Sequence, residues 1–333
     1  MSDGIDPKNR LNELTNREWL IETKSFWRSM AEERLCAWPD ADSIERFGVW
    51  LAKEIGEEGA AEALGQLKSS VLESIAPPRD GLKATHPATF SERDIGRLIE
   101  FFTRSGERVL DPFVGAGSTL LACQQTDRVG IGVELIARWA EVTRQRLEAI
   151  GAPCRVARPG EALKAAALGA QVLIHADARE ALAELPDECF DFVVTSPPYW
   201  RILRKDWDHK VKAERLAKGL STRYSDSDAD LGNVESYEKF LQTLGGVFAE
   251  CRRVVKPKRY VCIVVSDFRH GSKFVSYHAD ISRVVESIGL TLEGITILVQ
   301  DNKNLYPYGM PYAYVSNIHH QYVLAFRRNG GAR

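Results

Sequence analysis

No run of apolar residues in this sequence approaches the roughly 20 needed to cross a bilayer, so nothing in it predicts a membrane span. The opening residues, Met1-Ser2-Asp3-Gly4-Ile5-Asp6, are polar and lack the apolar core of a signal peptide. These two absences predict a cytoplasmic protein. The six cysteines, at 36, 123, 154, 189, 251 and 262, form neither a CxxC pair nor a Cys/His cluster. That argues against a zinc site and against a disulfide framework, so no metal is expected and the thiols read as small apolar fillers. A dominant charge is missing as well, the formal net charge being −2. Any nucleic-acid partner must then be met by a local positive field rather than by the chain as a whole. The sequence shows no internal repeat and no low-complexity tract.

What is present is the composition of an ordinary globular protein, with 333 residues, 44% hydrophobic and 27% charged. The first 80 residues differ from the rest. Trp19, Leu20, Phe26, Trp27 and Met30 punctuate a charged helical background over 16–33. Ile44, Phe47, Trp50, Leu51, Ile55, Leu64, Leu67 and Val71 define a helical face over 42–75. Pro77-Pro78 then breaks the pattern, which predicts a helical N-terminal segment over 1–80 and a main domain over 81–333. In the main domain helices are predicted over 91–102, 118–125, 136–150, 178–185, 237–255 and 279–289. They alternate with strands over 107–111, 129–134, 171–175, 190–195 and 260–266, and two further strands follow at 292–299 and 321–326. Such alternation implies an α/β fold with a mostly parallel twisted sheet, and the last two strands, separated by a loop and no helix, fit an antiparallel edge.

Asp111-Pro112-Phe113-Val114-Gly115-Ala116-Gly117-Ser118-Thr119 follows a predicted strand and opens a helix, the place where an α/β sheet binds ligands. Gly115 and Gly117 let the backbone turn tightly and approach a bound molecule closely. Glu134 ends the next strand, where a carboxylate can accept from both hydroxyls of a ribose. A nicotinamide-cofactor site is the obvious competitor. Against it, the third glycine of the dinucleotide fingerprint is replaced by Leu120. Asp111 precedes the glycines, where it would repel a pyrophosphate but suit a cationic methionyl group. The strand over 171–175 also runs into an acid, Asp177, placed to bond an adenine amino group. Each acid singly reads as well as a loop cap or a solvated residue; three of them at strand ends point to a ligand.

These features resemble the amino-methylating DNA methyltransferases, over roughly residues 83–328. The resemblance implies a Rossmann-like class I methyltransferase fold with S-adenosylmethionine as cofactor. His86-Pro87-Ala88-Thr89-Phe90 looks like the family's tenth motif, which packs beside the methionine end of the cofactor. Asp111 to Thr119 resembles the first motif, Glu134 the second and Asp177 the third. By this analogy Asp111 and the Gly115 and Gly117 backbone hold the methionine moiety, Glu134 the ribose and Asp177 the adenine. His86, Pro112, Phe113, Ser118, Thr119 and Ala178 complete the cofactor-binding set.

Thr195-Ser196-Pro197-Pro198-Tyr199-Trp200 follows the strand predicted over 190–195. An exocyclic amine on cytosine or adenine is a poor nucleophile, because its lone pair is delocalised into the ring. Accepting hydrogen bonds from its two protons localises that pair, and the Ser196 hydroxyl and Pro197 carbonyl are two such acceptors. Pro197 and Pro198 fix φ and make the turn rigid, while Tyr199 offers a face for a flipped-out base. No cysteine lies in this loop, which excludes the carbon-5 cytosine route and its thiolate nucleophile. In the resembled family, Ser ahead of the prolines is more typical of cytosine N4 enzymes, and Asp or Asn of adenine N6 enzymes. The predicted reaction is therefore methyl transfer to cytosine N4 in DNA, with adenine N6 as the alternative and an RNA or protein substrate as a more remote one. The cofactor motifs precede the catalytic loop here, whereas in many relatives with this loop they follow it.

Between Arg201 and Arg223 eight basic residues stand against three acids, with Trp200, Trp207 and Tyr224 interleaved or flanking. Such a stretch suits phosphates and bases, so 201–235 is predicted to contact DNA through Trp200, Arg201, Arg204, Lys205, Lys210 and Lys212. Tyr306, in the aromatic and amide-rich stretch 300–314, is a further candidate for stacking on the target base. The expected partner is DNA with its target base flipped out. The enzyme is expected to act alone or beside a restriction endonuclease, as a monomer or homodimer.

Overall fold

A computed structural model describes residues 9, 11–13, 91–201, 229–300 and 315–330, and the backbone of the strand Phe26–Arg28. The rest of the two predicted N-terminal helices, His86, the basic stretch 202–228 and residues 301–314 with Tyr306 lie outside the described residues. Phe26–Arg28 falls inside the stretch read as helical, and its adjacent Phe and Trp are residues that favour extended backbone. The chain divides into two compact units, one of Met1–Ser25, Arg79–Ile297 and Gln321–Arg333, the other of Phe26–Pro78 and Leu298–His320. The parallel strands and the helices of the main domain belong to the first unit.

Helix α1, Glu92–Phe102, starts where Ser91 accepts from Asp94 N–H at 3.4 Å, and it buries Ile95, Leu98, Ile99 and Phe102 at helical spacing. Strands and helices then alternate as expected: β1 Arg108–Asp111, α2 Ser118–Gln125, β2 Val129–Glu134 and α3 Ala137–Ala149. A short strand that the sequence pattern did not mark, β3 Cys154–Val156, and a short helix, α4 Ala162–Ala166, come next. After them come β4 Gln171–His175, α5 Ala178–Ala183, β5 Phe190–Thr195, α6 Tyr237–Val254 and β6 Val255–Val265. A small hairpin, β7 Phe268–His270 and β8 Lys273–Val275, precedes α7 Tyr277–Ser287, β9 Leu290–Val299 and β10 His320–Arg328.

The strand order is β9-β10-β6-β5-β1-β2-β4-β3. Every pair from β6 through β5, β1, β2 and β4 to β3 is parallel, and β10 lies antiparallel beside β6. This is the expected Rossmann-like class I methyltransferase fold with its antiparallel edge. Register aligns the carboxyl ends: Asp111 sits opposite Gly132 and Glu134 opposite His175, while Thr195 ends β5 beside them. The core is continuous, and the central strand β5 is buried along its whole length. Helix α1 adds to it by stacking Phe102 on Phe192, with ring centroids 5.0 Å apart.

One close approach brings the loop after β1 down onto the sheet. A Cβ at Gly132 would lie 2.7 Å from Val114 Cγ2 and 2.8 Å from Val114 Cβ, while Val114 N–H donates to Val133 O at 3.0 Å. Gly132→Ala should therefore overpack the contact and cost about 1–3 kcal/mol. Gly246, exposed within α6 with nothing near its missing Cβ, is the control. Its change to Ala should add about 0.5–1 kcal/mol. Urea midpoints of the two variants moving in opposite directions is the expected result; a common direction would contradict the packing described.

Candidate active site

The strand order reverses between β1 and β5, and an open α/β sheet leaves its ligand crevice at the carboxyl ends of such a pair. Asp111 ends β1 there. Its Oδ1 accepts from the Thr195 hydroxyl at the end of β5 at 2.7 Å and from Phe113 N–H at 3.0 Å. Its Oδ2 accepts from the Thr119 hydroxyl at 2.5 Å. One carboxylate thus joins two strands, the turn after β1 and the first turn of α2. It is 1% exposed, and burial, only partly offset by those three bonds, pushes its pKa up to about 6.

The glycine loop is fixed from two sides. Gly115 (φ 55°) and Gly117 (φ 83°) take left-handed conformations, and a Cβ on Gly117 would lie 2.7 Å from Thr143 Cγ2. The Thr143 hydroxyl donates to Gly115 O at 2.8 Å. From β2, Glu134 Oε2 accepts from Gly115 N–H at 3.0 Å and Oε1 from Ile136 N–H at 2.8 Å. Glu134 is buried, and burial pushes its pKa up to about 8, with Asp111 and Asp230 adding to the rise and the two backbone bonds opposing it. Ser118 donates to Glu92 Oε1 at 3.0 Å, and the buried Arg146 guanidinium reaches the same oxygen at 2.6 Å. Ser118 and Thr119 are therefore built into the scaffold of the loop, both of them buried, as is Pro112; Phe113 is half-buried.

Asp177 caps α5. Its Oδ1 accepts from Arg179 N–H at 2.8 Å, and its Oδ2 pairs with the Arg179 guanidinium at 2.5 Å. Burial works to raise its pKa, but the Arg179 bonds outweigh it and hold the carboxyl below its usual range. Of the two roles its position allows, the structure shows the loop cap, with Ala178 buried next to it.

The Ser-Pro-Pro-Tyr turn leaves β5 with Ser196 half-buried and Pro197 buried. The Tyr199 hydroxyl accepts from Ser266 N–H at 2.8 Å, and the Tyr277 hydroxyl donates to Pro198 O at 3.0 Å. The Tyr199 ring stands edge-on to Phe268 at 6.0 Å and tilted against Tyr277 at 5.3 Å. Trp200 is tied down as well: Nε1 donates to Val234 O at 2.9 Å, and its ring meets His270 at 4.6 Å and Tyr237 at 5.4 Å. The Arg201 guanidinium lies 5.7 Å from that ring. The structure thus brings Asp111, Thr195 and the start of the turn together. Ser266 and Tyr277 were not among the residues expected from sequence; Thr195 was read as the first residue of the catalytic loop, but nothing in the sequence pointed to its bond with Asp111.

The model of the N6/N4 family, described as DNA methylase, matches residues 7–145 and 190–330. The chain belongs to the N6/N4 DNA methylase family. Over shorter stretches it is similar to the type II methyltransferase M.Cfr9I of Citrobacter freundii, 40% identical over 19% of this chain and 21% of that protein. M.SmaI of Serratia marcescens is 42% identical over 19% and 22%, and M2.DpnII of Streptococcus pneumoniae 31% over 25% and 31%. Each matched stretch spans less than a third of the relative's own length. Among solved structures, TTHA0409 of Thermus thermophilus with S-adenosyl-L-methionine superposes with a TM-score of 0.32 and 30% identity, over 47% of this chain and 55% of that one. TrmN of Thermus thermophilus gives 0.40 and 16%, over 71% and 48%.

In this chain the buried acids at the two ends of the sheet are treated differently. Asp191, at the start of β5, takes the Lys256 ammonium at 2.6 Å and the Arg259 guanidinium at 3.5 Å. Asp111 and Glu134, at the carboxyl ends, have no cationic partner among the described residues and lean on hydroxyls and backbone N–H groups instead. Among the described residues no helix is long and apolar enough to cross a membrane.

The two raised carboxyls make stability depend on pH. The unfolded chain ionises these groups near pH 4, whereas the native state keeps its protons up to about pH 6 at Asp111 and about pH 8 at Glu134. Over that window the native state binds more protons, so unfolding free energy falls as pH rises and levels off above it, by on the order of 8 kcal/mol in all. Asp111→Asn should flatten the part below about pH 6. Denaturant titrations of the ligand-free protein between pH 4 and 9 measure this; stability rising steadily across the window would contradict it.

Proposed function

We propose that this chain is an S-adenosylmethionine-dependent DNA methyltransferase that modifies an exocyclic base amine, with cytosine N4 as the target. The observation that carries the reading is the pair of buried carboxylates, Asp111 and Glu134, which have no cation among the described residues. One of them is bonded to Thr195, the residue that precedes the Ser-Pro-Pro-Tyr turn. A buried carboxylate without a counter-ion is costly, and a cationic ligand relieves that cost. S-adenosylmethionine carries a sulfonium, an ammonium, a ribose diol and an adenine amine, and this donor set fits Asp111, Glu134 and Asp177 in turn. Gly115 and Gly117 keep side chains out of the loop that would face it, with Pro112, Phe113, Ser118, Thr119 and Ala178 shaping the wall. His86 joins this set by family resemblance alone.

Bound S-adenosylmethionine supplies an electrophilic methyl group. The chain's own task is to present the amine. Ser196 Oγ and the Pro197 carbonyl oxygen hold its two protons, which turns the nitrogen lone pair out of conjugation and toward the electrophile. Tyr199, held by its hydroxyl, keeps a fixed ring beside the turn for the extruded base. Trp200 and Arg201 begin the DNA-contacting stretch, which continues through Arg204, Lys205, Lys210 and Lys212, and Tyr306 is assigned to stacking on the target base from its sequence context alone. The serine ahead of the prolines is what favours cytosine over adenine.

Nucleosides from the DNA of a methylation-free host expressing this chain, analysed by mass spectrometry, should contain N4-methylcytosine. N6-methyladenine instead would reassign the base, and a modified RNA or protein with unmodified DNA would overturn the reading. Ser196→Ala should lower turnover on the order of 10²-fold with cofactor affinity nearly unchanged. Asp177→Ala should weaken cofactor binding and also remove a helix cap worth about 1 kcal/mol. Calorimetric cofactor titrations separate these two effects, and loss of binding in Ser196→Ala would contradict its assigned role.

A further inference from the structure

The Ser-Pro-Pro-Tyr turn is held from behind by residues at the two ends of one segment, 266–278. At its start Ser266 N–H donates to the Tyr199 hydroxyl at 2.8 Å, and near its end the Tyr277 hydroxyl donates to Pro198 O at 3.0 Å. Between them lie the hairpin β7–β8 and Phe268, whose ring meets that of Tyr199. The two donors serve the turn together only if the ends of the segment stay in a fixed relation. The hairpin pairs Phe268 with Val275, and one side chain clasps the residues just outside that pair. Asp267 Oδ1 accepts both the backbone N–H of His278 at 3.2 Å and its ring Nδ1 at 2.7 Å. The Tyr322 hydroxyl of β10 also bonds to this carboxylate, and the Tyr322 ring stacks on His278 with centroids 3.9 Å apart. Asp267 is 6% exposed, so water does not compete for these bonds. From the same strand, the Gln321 side chain bonds to the Tyr199 hydroxyl.

We propose that Asp267 is a positioning residue for methyl transfer, closing segment 266–278 so that Ser266 and Tyr277 hold the amine-accepting turn in register. This rests on the reading of Ser196 to Tyr199 as the catalytic turn. Asp267 touches no substrate. It acts through Tyr199 and Pro198, whose placement decides where Ser196 Oγ and the Pro197 carbonyl lie. A displacement of about 1 Å at such acceptors costs on the order of 10²-fold in rate. The requirement is for an acceptor rather than a charge, so an amide in the same place should serve: Asn keeps Oδ1 for the two His278 donors, and the Tyr322 hydroxyl can turn to accept from its NH2 group.

The test uses the full chain, with DNA from a methylation-free host and labelled S-adenosylmethionine. Asp267→Ala should lose on the order of 10²-fold in single-turnover rate, with the cofactor Kd and the KM for DNA within about threefold of the wild type. Asp267→Asn should recover most of that rate. Hydrogen exchange, which needs no substrate, should show faster exchange of the Ser266 amide and of the Tyr199 and Trp200 amides in Asp267→Ala, and not in Asp267→Asn. Should Asp267→Ala fail to fold, Tyr277→Phe removes the hydroxyl bond to Pro198 O while keeping the ring, and a rate loss of about tenfold is expected from it. An Asp267→Ala rate within about threefold of the wild type would overturn the proposal, as would a loss matched by the unfolded fraction, or an Asp267→Asn variant as slow as the alanine one. Wild-type protein that fails to methylate DNA while exchange still shows the clasp would count against the proposed function and leave the positioning role standing.

Discussion

The structure depends first on one buried carboxylate. Asp111 reaches across from the end of β1 to Thr195 at the end of β5, and forward to Thr119 in the first turn of α2. The two strands it joins are those between which the sheet changes direction, so the bond spans the mouth of the crevice. An apolar residue here would let the strands pack but could not tie hydroxyls from two elements. A salt bridge would tie them, yet it would cancel the negative charge. The hydroxyl-bonded acid does neither. It fixes geometry while leaving the charge to be met from outside, and the elevated pKa is the energetic sign of that choice.

Around this bond the loop is over-determined. Thr143 holds the Gly115 carbonyl, Glu134 holds the Gly115 N–H, and Glu92 with Arg146 holds Ser118 and the loop's far end. The Arg146 guanidinium also donates to Ala116 O. Three elements, α1, β2 and α3, therefore converge on a few residues of backbone. Such redundancy suits a site that must present fixed dipoles rather than assemble them when ligand arrives, because reorganisation then costs little at the moment of binding. It also explains the glycines, since the left-handed turn at Gly117 and the wall of Thr143 beside it leave no room for a side chain.

Much of this was legible in the sequence, and unevenly so. Strands and helices with clear periodicity and firm ends, such as Ser118–Gln125, Val129–Glu134 and Phe190–Thr195, lie where the pattern put them. Cys154–Val156 and the hairpin Phe268–His270 with Lys273–Val275 were missed, because three residues are too few to display a period and their faces are partly exposed. The acids of the site were found because a strand's end is a position in the chain order. Their partners were not, since Asp111 and Thr195 are 84 residues apart and nothing local couples them. The same limit explains Ser118 and Thr119: the motif marks them, while their hydroxyls turn toward Glu92 and Asp111. Asp177 stands in the structure as the cap of α5, one of the two roles that an acid at a helix start offers.

The turn itself shows why prolines alone do not make a rigid acceptor set. Proline fixes φ at Pro197 and Pro198, and Pro198 also confines ψ of Pro197, but ψ of Pro198 stays free, and ψ is the angle that aims a carbonyl. The Tyr277 hydroxyl on Pro198 O removes that freedom at one peptide, and the Tyr199 hydroxyl under Ser266 N–H pins the end of the turn. The start of the turn is pinned by Thr195 on Asp111. Its two ends are thus anchored on β1 and at the end of β6, which flank β5 in the middle of the parallel sheet. The spacing between the glycine loop and the Ser-Pro-Pro-Tyr turn is then set by the pairing of β1, β5 and β6 rather than by the loops themselves.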